Sequence, residues 1–162
     1  MLQELIRDID RCASGKGKKT AKRRLYVDGI WDLFHPGHVA QLQELKELDG
    51  WKTNVLVVGL ISDEDARGYK REPVMNEKHR RIMIESCQYV DEVIEHAPLI
   101  ITKEFMDEHH IDVVTHGFMD EADFERQKTF FKIPMELDRF RRTDYHHGIS
   151  TTSIMEKIKA NY

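Results

Sequence analysis

The amino-acid sequence predicts an α/β fold: a doubly wound parallel sheet with helices on both faces. Two observations carry this expectation. Short apolar runs of strand length alternate with segments whose apolar residues recur at helical spacing, and parallel strands need such crossovers to return the chain to the same edge. Polar residues suited to binding gather in the loops that follow the strand-like runs, where ligands collect in an open parallel sheet.

Leu2, Leu5, Ile6 and Ile9 recur at helical spacing, so residues 2–11 are expected to form a short amphipathic helix. GKGKKTAKRR (Gly15–Arg24) then reads as a solvated basic linker. It lacks the spacing of a P-loop and follows no strand. The expected division is residues 1–23 as helix and linker and residues 24–162 as one folded domain.

RLYVD (Arg24–Asp28) is the first strand. A helix starts after it at Pro36, whose fixed φ and missing N–H suit a first turn, and Val39, Leu42, Leu45 and Leu48 line its inner face. Val55–Leu60 is the second strand. The charged stretch Ser62–Glu77 holds a short helical turn and a loop, and Asn76 is expected to cap a helix running through Cys87. Glu92–Ala97 is the third strand, Thr102 caps a short helix carrying Phe105 and Met106, and Asp112–Gly117 is the fourth strand. A helix is expected over Ala122–Phe131 and a fifth strand over Met135–Arg141. The last helix starts at about Thr152, with Ser153 and Glu156 at capping-box spacing.

Composition narrows the function. The 162 residues are 40% hydrophobic and 33% charged, with a formal net charge of -4, so no global charge favours nucleic acid. Cys12 and Cys87 cannot build a disulfide framework, which fits a reducing compartment and a cytoplasmic expectation. The longest apolar run, Val55–Ile61, is too short to span a bilayer, and no stable membrane anchoring is expected.

The richest loop is DLFHPGH (Asp32–His38), directly after the first strand. If the helix begins between His35 and His38, both rings can face one side above free backbone N–H groups that favour an anion. Imidazole can donate to phosphate oxygens and can add positive charge as a transition state gains negative charge. The alternative is a turn whose histidines only cap and pack, or a metal pair. No third metal ligand lies at a telling interval, so no protein metal site is expected. Gly148 precedes Ser150, Thr151 and Thr152 at a helix start, a second phosphate cradle or a plain N-cap. Arg67, Lys70 and Arg71 could close over a polyphosphate from the loop after the second strand.

YVDGIWDLFHPGH, VMNEKHRR, CQYVDEV, APLIITKEFMDEHHIDVVTHG and GISTT occur in an order that resembles the cytidylyltransferases that make CDP-choline and CDP-ethanolamine, over about Arg24–Ile158. The resemblance implies a Rossmann-like domain, usually a homodimer, that joins CTP to a phosphorylated amino alcohol with Mg²⁺ and releases pyrophosphate. His35 and His38 match the catalytic histidines at the CTP phosphates, and Lys70 matches the lysine that reaches them. Gly29, Ile30, Gly148, Ile149, Ser150, Thr151 and Thr152 match nucleotide-binding positions. Tyr89–Val93 matches part of a dimer contact. Asp32, His116 and Asp120 are the acceptor candidates, with Glu121 and Asp123 as further carboxylates.

The chain departs from the family pattern at three places. Tyr145 and His146 stand where the signature has arginine and threonine, leaving Arg141, Arg142 or His147 to compensate. Leu99 and Gly117 replace a tryptophan and an aspartate of the choline enzymes' ammonium cage, while Phe118 or Trp31 could supply an aromatic face. Phosphocholine and phosphoethanolamine therefore stand as near-equal alternatives. No long amphipathic membrane-binding helix follows GISTT. Rival readings are an enzyme using ATP or an acceptor such as glycerol 3-phosphate, and a nucleotide-binding regulatory protein without turnover.

Overall fold

Extended β-branched and aliphatic runs form the sheet. The computed structural model describes residues 22–48, 54–146 and 148–161. The expected helix over 2–11 and most of the basic linker lie outside the described residues, as does His147. The strands are β1 (Arg24–Gly29), β2 (Val55–Leu60), β3 (Glu92–Glu95), β4 (Val113–Gly117) and β5 (Phe140–Thr143). They form one five-stranded sheet in the order β3-β2-β1-β4-β5, with every pairing parallel. The chain runs outward from β1 to the β3 edge, then crosses back to place β4 on the other side of β1. That reversal opens a crevice beyond the carboxyl ends of β1 and β4.

The helices are α1 (Pro36–Lys46), α2 (Asp63–Tyr69), α3 (Glu77–Glu85), α4 (Lys103–Glu108), α5 (Glu121–Gln127), α6 (Lys132–Glu136) and α7 (Thr151–Asn161). Strand alternation divides the core in two. Leu25, Val27, Leu56, Val58 and Leu60 face Leu42 and Leu45 of α1 and Ile84 of α3. Tyr26, Val57 and Val114 face the other way, against Met106 of α4, Ile101, Ile111 and Phe131. Strands buried on both faces read as continuous apolar runs, which is why β1 and β2 were recognisable. Ser62, Asn76 and Thr102 cap α2, α3 and α4 by accepting the N–H of Asp65, His79 and Phe105.

Most boundaries fall within two residues of expectation, and three differences bear on the architecture. The helix expected over Ala122–Phe131 is α5 followed by a tighter 3₁₀ turn, Lys128–Phe131. The fifth strand begins at Phe140 rather than Met135, because Lys132–Glu136 coils into α6 and Asp138 reverses the chain with φ 52°. Helix α7 starts at Thr151, and its cap is Ser150, whose Oγ accepts the N–H of Ser153 at 3.0 Å. Ser153 therefore lies inside the first turn rather than capping it.

Candidate active site

Beyond β1 and β4 lies an open cleft of about 570 Å³. The turn from β1 into α1 forms its floor. His35 is the N-cap of α1, in extended backbone (φ −136°, ψ 168°), with Pro36 in the first turn. The His35 Nδ1 accepts the N–H of Gly37 at 3.1 Å, and the N–H of His35 donates to His38 Nδ1 at 3.3 Å. The two rings stack 3.7 Å apart at 18°, and His38 also meets Trp31 and Phe34 at 5.2 and 5.4 Å.

These contacts set the protonation of the pair. Burial lowers the pKa of His35. Burial first, then the neighbouring His35 and Lys70, lower that of His38 to about 3. Both rings are neutral at physiological pH. With each Nδ1 accepting a backbone N–H, the ring proton sits on Nε2. The pair therefore offers two N–H donors rather than the positive charge expected from an ordinary imidazole.

Gly37 permits the second cradle to rest on the first. A Cβ there would stand 3.0 Å from the His35 ring and 3.2 Å from the Ile149 carbonyl oxygen. Thr151 Oγ1 donates to the Asp32 carbonyl at 2.8 Å, so Ile149, Ser150, Thr151 and Thr152 line the cleft with Gly29 and Ile30. Gly148 stands apart, with no atom within 4 Å of its Cβ position, and is not among the lining residues.

Lys70 and Arg71 reach the cleft from the end of α2. Burial first, then Arg71 beside it, lower the Lys70 pKa, while Asp123 acts the other way. The Asp32 side chain, 3% exposed, holds this loop. It accepts the N–H groups of Leu33, Val74 and Met75 at 3.0, 2.9 and 2.9 Å, with the Arg71 guanidinium 3.9 Å away. Asp32, which also lines the cleft, thus joins the histidine turn to the lysine loop.

Arg80, missed by the sequence reading, is fully buried. It donates to the carbonyls of Met75 and Ile61 at 3.0 Å, to that of Ile30, and to Asp63 Oδ1 at 2.6 Å. One side chain so joins the loops after β1 and β2. The available signal was spacing: Arg80 stands four residues before core residue Ile84 on α3.

On the β4 side, His116 Nδ1 lies 3.0 Å from Asp28 Oδ1 across the ends of β4 and β1. Its ring packs on Phe118 and Phe131 at 4.8 and 4.6 Å. Asp123 lines the cleft, whereas Asp120 does not; Asp120 caps α5 by accepting the Asp123 N–H at 2.7 Å. Tyr69 and Phe130 meet edge to face at 6.1 Å and both line the cleft. Burial, then Asp28 and Asp123, push the Tyr69 hydroxyl up to about 12, which places both carboxylates near that ring.

Two of the three expected substitutes for the signature arginine are elsewhere; the third, His147, lies outside the described residues. Arg142 lies over Phe124 at 4.4 Å and pairs with Glu121, and Arg141 donates to the Phe140 carbonyl. Neither lines the cleft, nor do Leu99 and Phe118, while Trp31, Tyr145 and His146 do. The lining cations are Lys70, Arg71 and Arg126.

A family model described as cytidylyltransferase-like matches residues 26–157, a span that holds the whole cleft. The chain belongs to the cytidylyltransferase-like family. It is 39% identical over 139 residues to choline-phosphate cytidylyltransferase A of Rattus norvegicus, covering 86% of this chain and 37% of that protein. It is 36% identical to choline-phosphate cytidylyltransferase 2 of Arabidopsis thaliana, covering 86% and 45%. Ethanolamine-phosphate cytidylyltransferase of Arabidopsis thaliana is 34% identical over 161 residues, covering 96% and 37%. The chain thus spans less than half the length of these relatives. Among solved structures, the lipopolysaccharide core biosynthesis protein from Thermoplasma volcanium GSS1 matches with a TM-score of 0.57 and 27% identity, over 76% of this chain and 98% of that one. The cytidylyltransferase-like sheet is Rossmann-like, as the resemblance implied.

Proposed function

We propose that this chain is a cytidylyltransferase that transfers CMP from CTP to a phosphorylated amino alcohol, phosphocholine or phosphoethanolamine, yielding a CDP-alcohol and pyrophosphate for phospholipid synthesis. The observation that carries the reading is the stacked His35–His38 pair, with its two Nε2 donors beside Lys70 and the Ile149–Thr152 cradle. Relatives named for phosphocholine and phosphoethanolamine support the acceptor class.

In this reading an acceptor phosphate oxygen attacks the α-phosphorus in line. The new P–O bond forms as the bond to the β-phosphate oxygen breaks, and pyrophosphate leaves without a covalent intermediate. Catalysis is positioning and charge stabilisation. His35 and His38 donate to the transferring phosphoryl group, Lys70 and Arg71 hold the leaving pyrophosphate, and Asp32 and Arg80 keep their loops in register. No group of three or more His, Cys, Asp or Glu among the described residues could hold a metal ion. Mg²⁺ bound with CTP would offset the charge of the triphosphate.

The ammonium end falls on the β4 side, between Asp28, Asp123 and the rings of Tyr69 and Phe130. Those rings supply the aromatic faces that Leu99 and Phe118 do not, and they favour phosphocholine, since a trimethylammonium group relies on such faces. We further propose a homodimer through Tyr89–Val93, which leads into the edge strand β3. No helix among the described residues is long and apolar enough to cross a membrane, and a cytoplasmic setting completes the proposal.

Pyrophosphate release tests the reading, with CTP or ATP against phosphocholine, phosphoethanolamine and glycerol 3-phosphate. CTP with an amino-alcohol phosphate should give the highest kcat/KM. A preference for ATP or for glycerol 3-phosphate would overturn it.

A further inference from the structure

Helix α1 brings one more polar side chain to the cleft after its histidines. Gln41 stands three residues beyond His38, on the same face of the helix, and lines the cleft. It is half-buried, and its amide has no hydrogen-bond partner among the described residues. A half-buried amide without a partner is a donor and an acceptor left for a ligand.

Its surroundings are specific. Gly117, at the end of β4, has no side chain, and a Cβ there would lie 3.5 Å from Gln41 Nε2. The Asp144 carbonyl oxygen and the Thr143 hydroxyl each lie 3.3 Å from the same point. The Thr143 hydroxyl is itself buried without a partner among the described residues. Gln41 Nε2 and these two oxygens border one point, so the amide can turn its nitrogen to them when a ligand takes its carbonyl oxygen.

Strand alternation says which ligand end arrives there. Asp28 and His116 share the sheet face of Tyr26 and Val114, whereas Gly117 shares that of Val113, on the side of α1. The first half holds the Asp28 carboxylate and suits an ammonium. The second adjoins the histidine pair and Ile149–Thr152, and Tyr145 is also among the residues lining the cleft. Once the phosphates lie on the histidines, the nucleoside belongs to this second half.

Resting on the function proposed above, we infer that Gln41 reads the base of the nucleotide: its amide oxygen accepts a hydrogen bond from the exocyclic amine of cytosine. Uracil presents a carbonyl at that position, which would set two acceptors against each other in a half-buried slot. Gln41 is thus a specificity-determining residue for CTP over UTP.

The experiment compares CTP and UTP in both calorimetric binding and pyrophosphate release. Wild type should prefer CTP by tenfold or more. Gln41→Leu, of similar size but without the oxygen, should bring the two nucleotides within about threefold, whereas Gln41→Glu, which keeps an acceptor oxygen, should bind both more weakly yet retain the preference. Gln41→Asn, which withdraws the oxygen by one methylene, gives the same reading as leucine if the leucine variant does not fold. An unchanged CTP:UTP ratio in the leucine or asparagine variant, or no preference in wild type, overturns the inference. A chain that binds CTP in this Gln41-dependent way but releases no pyrophosphate supports the inference and contradicts only the proposed function.

Discussion

His35 and His38 stack ring on ring at 3.7 Å while each gives its Nδ1 to a backbone N–H. The helix cap and the phosphate donors are therefore the same two side chains, facing opposite ways.

Asparagine separates the two uses. Its Oδ1 falls near the place of Nδ1 and can accept the Gly37 N–H, but it offers nothing at Nε2. His35→Asn should keep a thermal midpoint close to wild type and lose roughly 10²-fold in turnover, as when one oxyanion donor is removed. His35→Ala loses the cap as well, about 1 kcal/mol of stability. Turnover near normal in the asparagine variant would show that the ring only caps the helix.

The buried neutral ring makes stability depend on pH. His38 titrates at about 3 in the fold and near 6.5 when unfolded, so between these values the unfolded chain binds the extra proton. Its contribution is complete above pH 6.5 and is lost as pH falls toward 3, on the order of 1 kcal/mol per pH unit. Urea midpoints at pH 7 and pH 5 should differ more for wild type than for His38→Asn. Equal differences would mean that His38 is charged in the fold.

Much of this was legible because it is local. β1, β2 and β4 each carry a short apolar run, and Asn76 and Thr102 are side-chain caps that act three residues away. The histidine turn was legible as spacing, but its charge state was not, since that depends on burial against Trp31 and Phe34. Arg80, and the loop-joining contacts of Asp32, were not legible because their partners lie 50 and 42 residues distant, at Ile30 and Val74. Tyr69 ends α2 and Phe130 lies in the 3₁₀ turn after α5, two segments that only the fold brings into contact.

Gly59 and Tyr26 are tightly apposed. A Cβ on Gly59 would lie 2.2 Å from the Tyr26 hydroxyl and 2.9 Å from Ala97 Cβ. Gly59→Ala should destabilise by about 2 kcal/mol or more through overpacking. That hydroxyl is buried without a partner among the described residues, so Tyr26→Phe should fold at least as stably as wild type. Chemical denaturation of both variants checks the pair, and a marked loss in Tyr26→Phe would reveal a partner for the hydroxyl.

Arg80→Met should destabilise the fold by about 3 to 5 kcal/mol, because it leaves Asp63 and inward-facing carbonyls without their donor. Lysine should not restore it, since a single ammonium cannot span Met75, Ile61, Ile30 and Asp63 together. Melting curves of both variants test this, and a lysine variant as stable as wild type would contradict it.

Product identity tests the central claim most directly. Wild type, His35→Asn and His38→Asn, prepared alike, are incubated with CTP, Mg²⁺ and phosphocholine or phosphoethanolamine, and the products are followed by phosphorus NMR. The account predicts a CDP-alcohol and pyrophosphate in equal amounts from wild type, with formation slowed about 10²-fold in each variant. No CDP-alcohol from wild type, or equal rates in all three proteins, would contradict it.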